Sequence, residues 1–283
     1  MNKQIILKKD IEDTKNFFNN SIFFDNKVKQ KIEKNSNLKF DDLIIWCCIQ
    51  CNKRPKSVNY IGNEEFVEFF LFSIYRHKDI LEKLWIETQN IHDKSFRLRL
   101  IDNKEQFKQY LWELYLKYYF IKKGMNIKKS SKNSGPDIYI SNNNVNVYIE
   151  CIVPKQGNNE YRVPEIVENG IGQVPISEIK QRFIYAINEK INKYKTYLLD
   201  GIVNVNDKLL IALNTSGLSY YGSLMDFDEP LLLECCKEQK IFENNKFLDG
   251  IVYNHKSIFE YNVDFEIIII KNDYSVIKDK INI

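Results

Sequence analysis

Ser134-Gly135-Pro136-Asp137-Ile138-Tyr139-Ile140, then Asn142-Asn143-Asn144, then Val145-Asn146-Val147-Tyr148-Ile149-Glu150-Cys151-Ile152 is the stretch on which the fold turns. Two short β-rich runs flank a polar asparagine turn, which is the pattern of a β-hairpin. Side chains alternate along a strand, so Val145, Val147 and Ile149 share one face while Asn146, Tyr148, Glu150 and Ile152 share the other. Glu150 therefore sits between two apolar neighbours inside a strand, and Asp137 opens the partner strand straight after a Gly-Pro turn. A hairpin can bring two such carboxylates close enough to hold one hard divalent cation such as Mg²⁺, which takes one or two carboxylates and keeps several waters. The alternative is an Asp that starts a turn and a Glu that reaches solvent.

Working outward, a helix from about Asn103 to Lys123 precedes the hairpin and ends at Gly124, a residue suited to the left-handed C-cap. A second helix follows, about Ser177 to Leu199, introduced by Pro175 with Ser177 as N-cap and closed by Asp200-Gly201. At about 100° per residue, Ile179, Phe183, Ile187 and Tyr194 define its apolar face, and Lys190 falls inside that face. An ammonium group on a packed side needs a partner, because lysines are almost never buried unpaired. A neighbouring carboxylate would supply one; snorkelling to solvent is the other account. Arg182 and Glu189 share the adjoining edge of the helix. Further strands are expected at Lys208 to Leu213, Ile251 to Asn254 and Phe265 to Ile270. Residues 101–283 therefore read as an α/β (α+β) core with a mixed sheet.

Residues 1–100 read as helical, with Phe17, Phe18, Ile22 and Phe23, and then Leu43, Ile44, Cys47, Cys48 and Cys51, at helical spacing. A third helix, Glu64 to Leu84, carries Phe66, Phe69, Phe70, Phe72 and Ile74. Lys53, Arg54 and Lys56 form a small basic cluster in a Pro-containing connection. Over the whole chain, 283 residues with 44% hydrophobic and 28% charged residues exclude collagen-like and wholly disordered classes. Forty-one Lys and Arg against 38 Asp and Glu is too even to argue for or against nucleic acid. The longest apolar run, Leu43 to Ile49, is far short of the roughly 20 residues of a membrane span. The N-terminus has no signal-peptide core, so the expected compartment is cytoplasmic, with no membrane partner. Cys47, Cys48, Cys51, Cys151, Cys235 and Cys236 form no disulfide framework and read as reduced, buried small hydrophobes.

Gly135-Pro136-Asp137, the strand bearing Glu150, and a preceding helix with Trp112-Glu113-Leu114-Tyr115-Leu116 together resemble the PD-(D/E)xK nuclease superfamily, over roughly residues 103–215. The pattern is similar to uncharacterised bacterial members with a relocated catalytic lysine. The resemblance implies a restriction-endonuclease-like core, a central mixed sheet flanked by helices, and Mg²⁺- or Mn²⁺-dependent hydrolysis of phosphodiesters. It assigns Asp137 and Glu150 as metal ligands and Glu113 as a supporting carboxylate. Glu113 itself lies in the one polar stripe of its helix, with Gln106 and Lys117, where a solvated side chain is the other reading. The family's lysine stands two residues after the Glu, and that position here is Ile152. Lys155, Lys180 and Lys190 are the substitutes, and the helical wheel favours Lys190. Gln181 and Tyr185 match the Gln-x-x-x-Tyr of RecB-like nucleases, but both fall on the polar face of the helix. Substrate phosphates would meet Lys128, Lys129, Lys132, Lys155, Arg162 and Arg182, with Tyr161 available to stack on a base. The expected partner is nucleic acid, DNA ahead of RNA. Target recognition or homodimerisation are the roles that position suggests for the helical first hundred residues. The competing class is a nuclease-fold protein without catalysis that binds nucleic acid or protein.

Overall fold

The structure, a computed structural model, describes residues 3–52, 63–102, 104–129, 135–142, 145–157, 162–163, 175–218, 228–255, 267–272 and 276–278. It divides into two compact units, Met1–Tyr110 and Leu111–Ile283.

The first unit is helical: α1 (Lys3–Asn20), α2 (Asn26–Ser36), α3 (Phe40–Asn52), α4 (Glu64–Phe69), α5 (Lys78–Thr88), α6 (Phe96–Asp102) and the beginning of α7 (Lys104–Lys122). Aromatic rings fill its core, with Phe18 edge-on to Phe24 at 4.7 Å and to Phe40 at 5.2 Å. Asp25 caps α2 by accepting the amides of Lys27 and Val28, and Arg97 holds Asp25 in turn at 2.6 Å. Two residues expected on buried faces lie outside. Ile22 is exposed, and so is Phe72, which sits in a π-helical turn, Phe70–Ile74, with the Arg76 guanidinium 4.6 Å above its ring. All six cysteines are free, and all but the exposed Cys51 are buried. The basic cluster at Lys53 to Lys56 lies outside the described residues.

In the second unit α7 ends as its sequence requires. Gly124 adopts φ 79°, the Met125 amide reaches back to Phe120 O and the Gly124 amide to Ile121 O, which is a Schellman stop. Seven strands then form one mixed sheet in chain order: β1 (Ile127–Lys128), β2 (Ile138–Asn142), β3 (Val145–Ile152), β4 (Lys208–Asn214), β5 (Leu248–Asn254), β6 (Ile268–Lys271) and β7 (Val276–Lys278). The β2–β3 hairpin is antiparallel; β3, β4 and β5 run parallel; β6 and β7 return antiparallel. Parallel neighbours need crossovers. The first is α8 (Ile176–Leu199), and the second carries α9 (Asp228–Glu238) and α10 (Ile241–Asn244). The fold is therefore α+β, with helices first and a mixed sheet flanked by helices.

Ile179, Phe183 and Ile187 of α8 pack with Leu209, Ile211 and Leu213 of β4, so one face of the sheet is sealed by the crossover helices. The Tyr194 hydroxyl locks α8 to the sheet, 2.9 Å from Tyr148 O and 2.7 Å from Leu210 O. Trp112 of α7 donates its indole N–H to Ala212 O at 3.0 Å. The α8 cap lies two residues before the expected one. Pro175 occupies the cap, its carbonyl accepts the Ile179 amide, and Ser177 lies inside the first turn without capping. Among the described residues, no helix is long and apolar enough to cross a membrane.

Candidate active site

The hairpin register pairs Ile138 with Ile149, which leaves Asp137 and Glu150 facing each other at the open end of the pair. Beyond that last pair the Cys151 amide still needs an acceptor, and Asp137 Oδ2 supplies it at 2.8 Å. The turn that presents Asp137 contains Gly135 at φ 143°, a backbone conformation for which glycine is suited. Asp137 is thus held by its own backbone position and by β3, with 23% of its side chain exposed.

Glu150 is completely buried on the α8 side of β3. Three side chains of α8 converge on it. Lys190 Nζ lies 2.8 Å and Lys193 Nζ 3.1 Å from Glu150 Oε2, while the Tyr197 hydroxyl lies 3.1 Å from Oε1. Positions 190, 193 and 197 fall on one helical face, which is why a single carboxylate can engage all three. The Tyr197 proton is shared with Gly135 O, 3.2 Å away, so this ring ties Glu150 to the turn that carries Asp137. Lys190 is 1% exposed and reaches Asp137 Oδ2 at 4.0 Å.

The electrostatics follow from this packing. Burial, then the neighbouring charges of Glu150 and Glu113, push the Asp137 carboxyl up to about 7, against the pull of Lys190 and the Cys151 amide. Burial opposes the charge on Lys190, but Glu150 and Asp137 outweigh it and hold its pKa above the ordinary range. Burial likewise raises the Cys151 thiol, which makes it an inert core residue rather than a nucleophile.

Asp137, Glu150 and Lys190 are brought together. Glu113 is not solvated: it is nearly buried, and Lys117, 1% exposed, sits 2.6 Å from its Oε1 on the next turn of α7. Its charge is felt at Asp137 and at Cys151. Lys180 is turned away, salt-bridged to Glu234 and Glu238 of α9 at 3.1 and 3.2 Å. Lys155 follows β3 on the surface, and its carbonyl accepts Arg182 Nε at 2.6 Å. The Arg182 head packs so closely on Gly157 that a Cβ there would meet Nη1 at 3.0 Å. Arg162 is exposed in the same connection, and Lys128 and Lys129 are exposed beside β1. Lys132 and Tyr161 lie outside the described residues. Tyr185 is exposed and Gln181 beside it, consistent with the polar face they occupy on the wheel. Lys193 and Tyr197 have no signal of their own in the sequence, whereas Lys117, placed with Glu113 in the polar stripe of α7, stands at i, i+4 from it and pairs with it.

Among the described residues no group of three or more His, Cys, Asp or Glu is arranged to hold a metal ion. The donor set nevertheless suits a hard cation. Asp137 and Glu150 carry carboxylate oxygens, and Asp137 is reachable from solvent. Its pKa is raised first by burial and then by the negative charge of Glu150 and Glu113, which a divalent cation would offset on displacing one of the groups that now engage Glu150. Two carboxylates with water completing the sphere is an ordinary Mg²⁺ arrangement. No protein-family model matches the chain, and no curated protein or solved structure is significantly similar to it.

Proposed function

We propose that this protein is a Mg²⁺- or Mn²⁺-dependent endonuclease of PD-(D/E)xK type that hydrolyses phosphodiester bonds, with DNA as its substrate. The observation that carries the reading is the convergence of Asp137, Glu150 and Lys190 at the open end of one hairpin. Asp137 and Glu150 are the metal-holding residues. The metal supplies Lewis-acid polarisation of the scissile phosphate and an acidified water. Lys190 offsets carboxylate charge on the buried side of the site. Tyr197 positions Glu150 against the Asp137 turn. Glu113, balanced by Lys117, supports the Asp137 environment from α7. Lys155, Arg162 and Arg182 supply positive charge beside β3 for phosphates away from the reacting bond. The free cysteines fit a cytoplasmic setting.

The test is cleavage of supercoiled plasmid and of single-stranded DNA with Mg²⁺ or Mn²⁺, wild type beside Asp137→Ala and Glu150→Gln. Cleavage by wild type and loss in both variants is the expected result. Cleavage that persists in both variants would reject the assignment. A second reading, a nuclease-fold module that binds without cutting, is favoured by Ile152 at the family's lysine position and by the engagement of both Glu150 oxygens within the protein. It predicts DNA retention that is indifferent to EDTA, with no cleavage by wild type.

A further inference from the structure

Glu150 Oε2 carries two ammonium groups, although one suffices to balance a single carboxylate. The two lysines differ in surroundings. Lys190 is 1% exposed, and withdrawing it would remove the inner ion pair of a fully buried carboxylate and leave the partly exposed Lys193 to balance its charge. Lys193 is 43% exposed, three residues further along the same helix face. Its contact joins a partly exposed ammonium to a fully buried carboxylate, which makes it the outer and more readily exchanged of the two pairs. Asp137 and Lys193 keep part of their surface open to solvent, whereas Lys190 and Glu150 do not.

Resting on the nuclease reading, we propose that Lys193 is the substrate-contacting cation of this site. It competes with the divalent metal for Glu150, so that metal loading hands the Lys193 ammonium over to a substrate phosphate. The chemistry is the exchange of one cation for another on a carboxylate. Glu150 keeps Lys190 throughout, so its buried charge is never uncompensated. Lys193, released from Oε2, retains three donors on a flexible stem that is 43% exposed, so it can meet a phosphodiester oxygen that approaches the carboxylates from solvent.

The experiment is calorimetric titration of Mn²⁺ into the full-length wild type, Lys193→Gln and Lys195→Gln, with steady-state cleavage of plasmid DNA by the same three proteins. Lys195 is exposed on the same helix and removes the same charge without touching Glu150. Loss of the competitor should tighten Mn²⁺ binding about fivefold in Lys193→Gln relative to Lys195→Gln, the scale of one partly exposed ion pair. In the same variant KM should rise by roughly tenfold or more with kcat within about twofold, the signature of a lost phosphate contact. Lys193→Arg should recover most of the KM. A purely structural Lys193 would not tighten metal binding. Equal Mn²⁺ affinity in the two glutamine variants, or an unchanged KM, would overturn the proposal while leaving the nuclease reading in place. A wild type that takes up no Mn²⁺ and cuts no DNA would overturn both.

Discussion

Replacing Asp137 by Asn should stabilise the metal-free protein, and the gain should grow with pH. Asn keeps an oxygen for the Cys151 amide, so the backbone contact that holds the hairpin end survives. What disappears is an ionisable group whose carboxyl is pushed to about 7 in the fold, against an ordinary value of 3.8. For an acid with a raised folded pKa the native state prefers the protonated form. The penalty is therefore absent below the unfolded value, builds as pH rises between the two, and levels off above the folded value. Each unit corresponds to about 1.4 kcal/mol, so the full penalty approaches ~4 kcal/mol, and the part that develops between about pH 5 and pH 8 is ~2–3 kcal/mol. Asp137 is 23% exposed, which trims this toward the lower figure. For a unit of the size of Leu111–Ile283, ~2 kcal/mol is a Tm difference of about 4–8 °C. The assay is scanning calorimetry in EDTA across this range, wild type against Asp137→Asn, reading the transition of the second unit. Saturating Mg²⁺ should raise the Tm of wild type and leave the variant where it was. A variant that melts below wild type at about pH 8, or a difference that does not change with pH, would refute the reasoning about Asp137.

Three other outcomes are expected. Lys190→Met leaves the buried Glu150 with Lys193 and Tyr197 as its remaining partners and should cost about 2–3 kcal/mol in urea unfolding, whereas adding Glu150→Gln to the same chain should recover much of the loss; a double variant no better than the single would deny the pairing its energetic role. Mn²⁺ binding at about pH 7 should release roughly half a proton, because metal forces Asp137 to ionise, and calorimetry in buffers of different ionisation enthalpy reads this directly; zero release would place the metal elsewhere. Trp112→Phe should lower stability by about 1–2 kcal/mol through the Ala212 carbonyl left without its indole donor, while Mn²⁺ affinity stays at the wild-type value.

The parts of the site that local periodicity controls were legible in the sequence. Period-2 alternation put Glu150 on the face with Tyr148 and Ile152, and the wheel put Lys190 among Ile179, Phe183 and Ile187; the structure buries both together. The hairpin, both helices around it and the strands β3 to β6 were legible for the same reason. What local pattern could not give was set by packing at a distance. Lys193 and Tyr197 lie toward the margin of the α8 apolar face, and only the position of β3 beneath the helix makes them neighbours of Glu150. Glu113 and Lys117 look solvated on a helix that is apolar over most of its surface, because such a helix leaves no contrast between a covered and an open stripe. They are instead a buried pair. β1 and β7 have two and three residues at the sheet edges, too short for any periodicity, and α9 carries Pro230 in its first turn, where proline is tolerated but suggests an interruption.

The charges around Asp137 add a constraint on how such a site is loaded. Three carboxylates (Glu113, Asp137, Glu150) face three lysines (Lys117, Lys190, Lys193), and each lysine already stands within 3.1 Å of a glutamate. Asp137 is the member whose nearest ammonium, Lys190, is as far as 4.0 Å, and it is the one that holds a proton near neutral pH. Metal-free, each lysine of the cluster is paired with a glutamate, which is how a largely buried group of ionisable side chains can persist in a fold. A divalent cation added to it would leave an excess of positive charge even after Asp137 ionised. On the proposed exchange, that excess would be relieved as Lys193 turned outward and an anionic phosphate arrived. Metal and phosphate would then each be favoured by the presence of the other, with a coupling equal in both directions. On this view the second ammonium on Glu150 holds the empty site in a stable form and, once displaced, becomes part of what attracts the substrate.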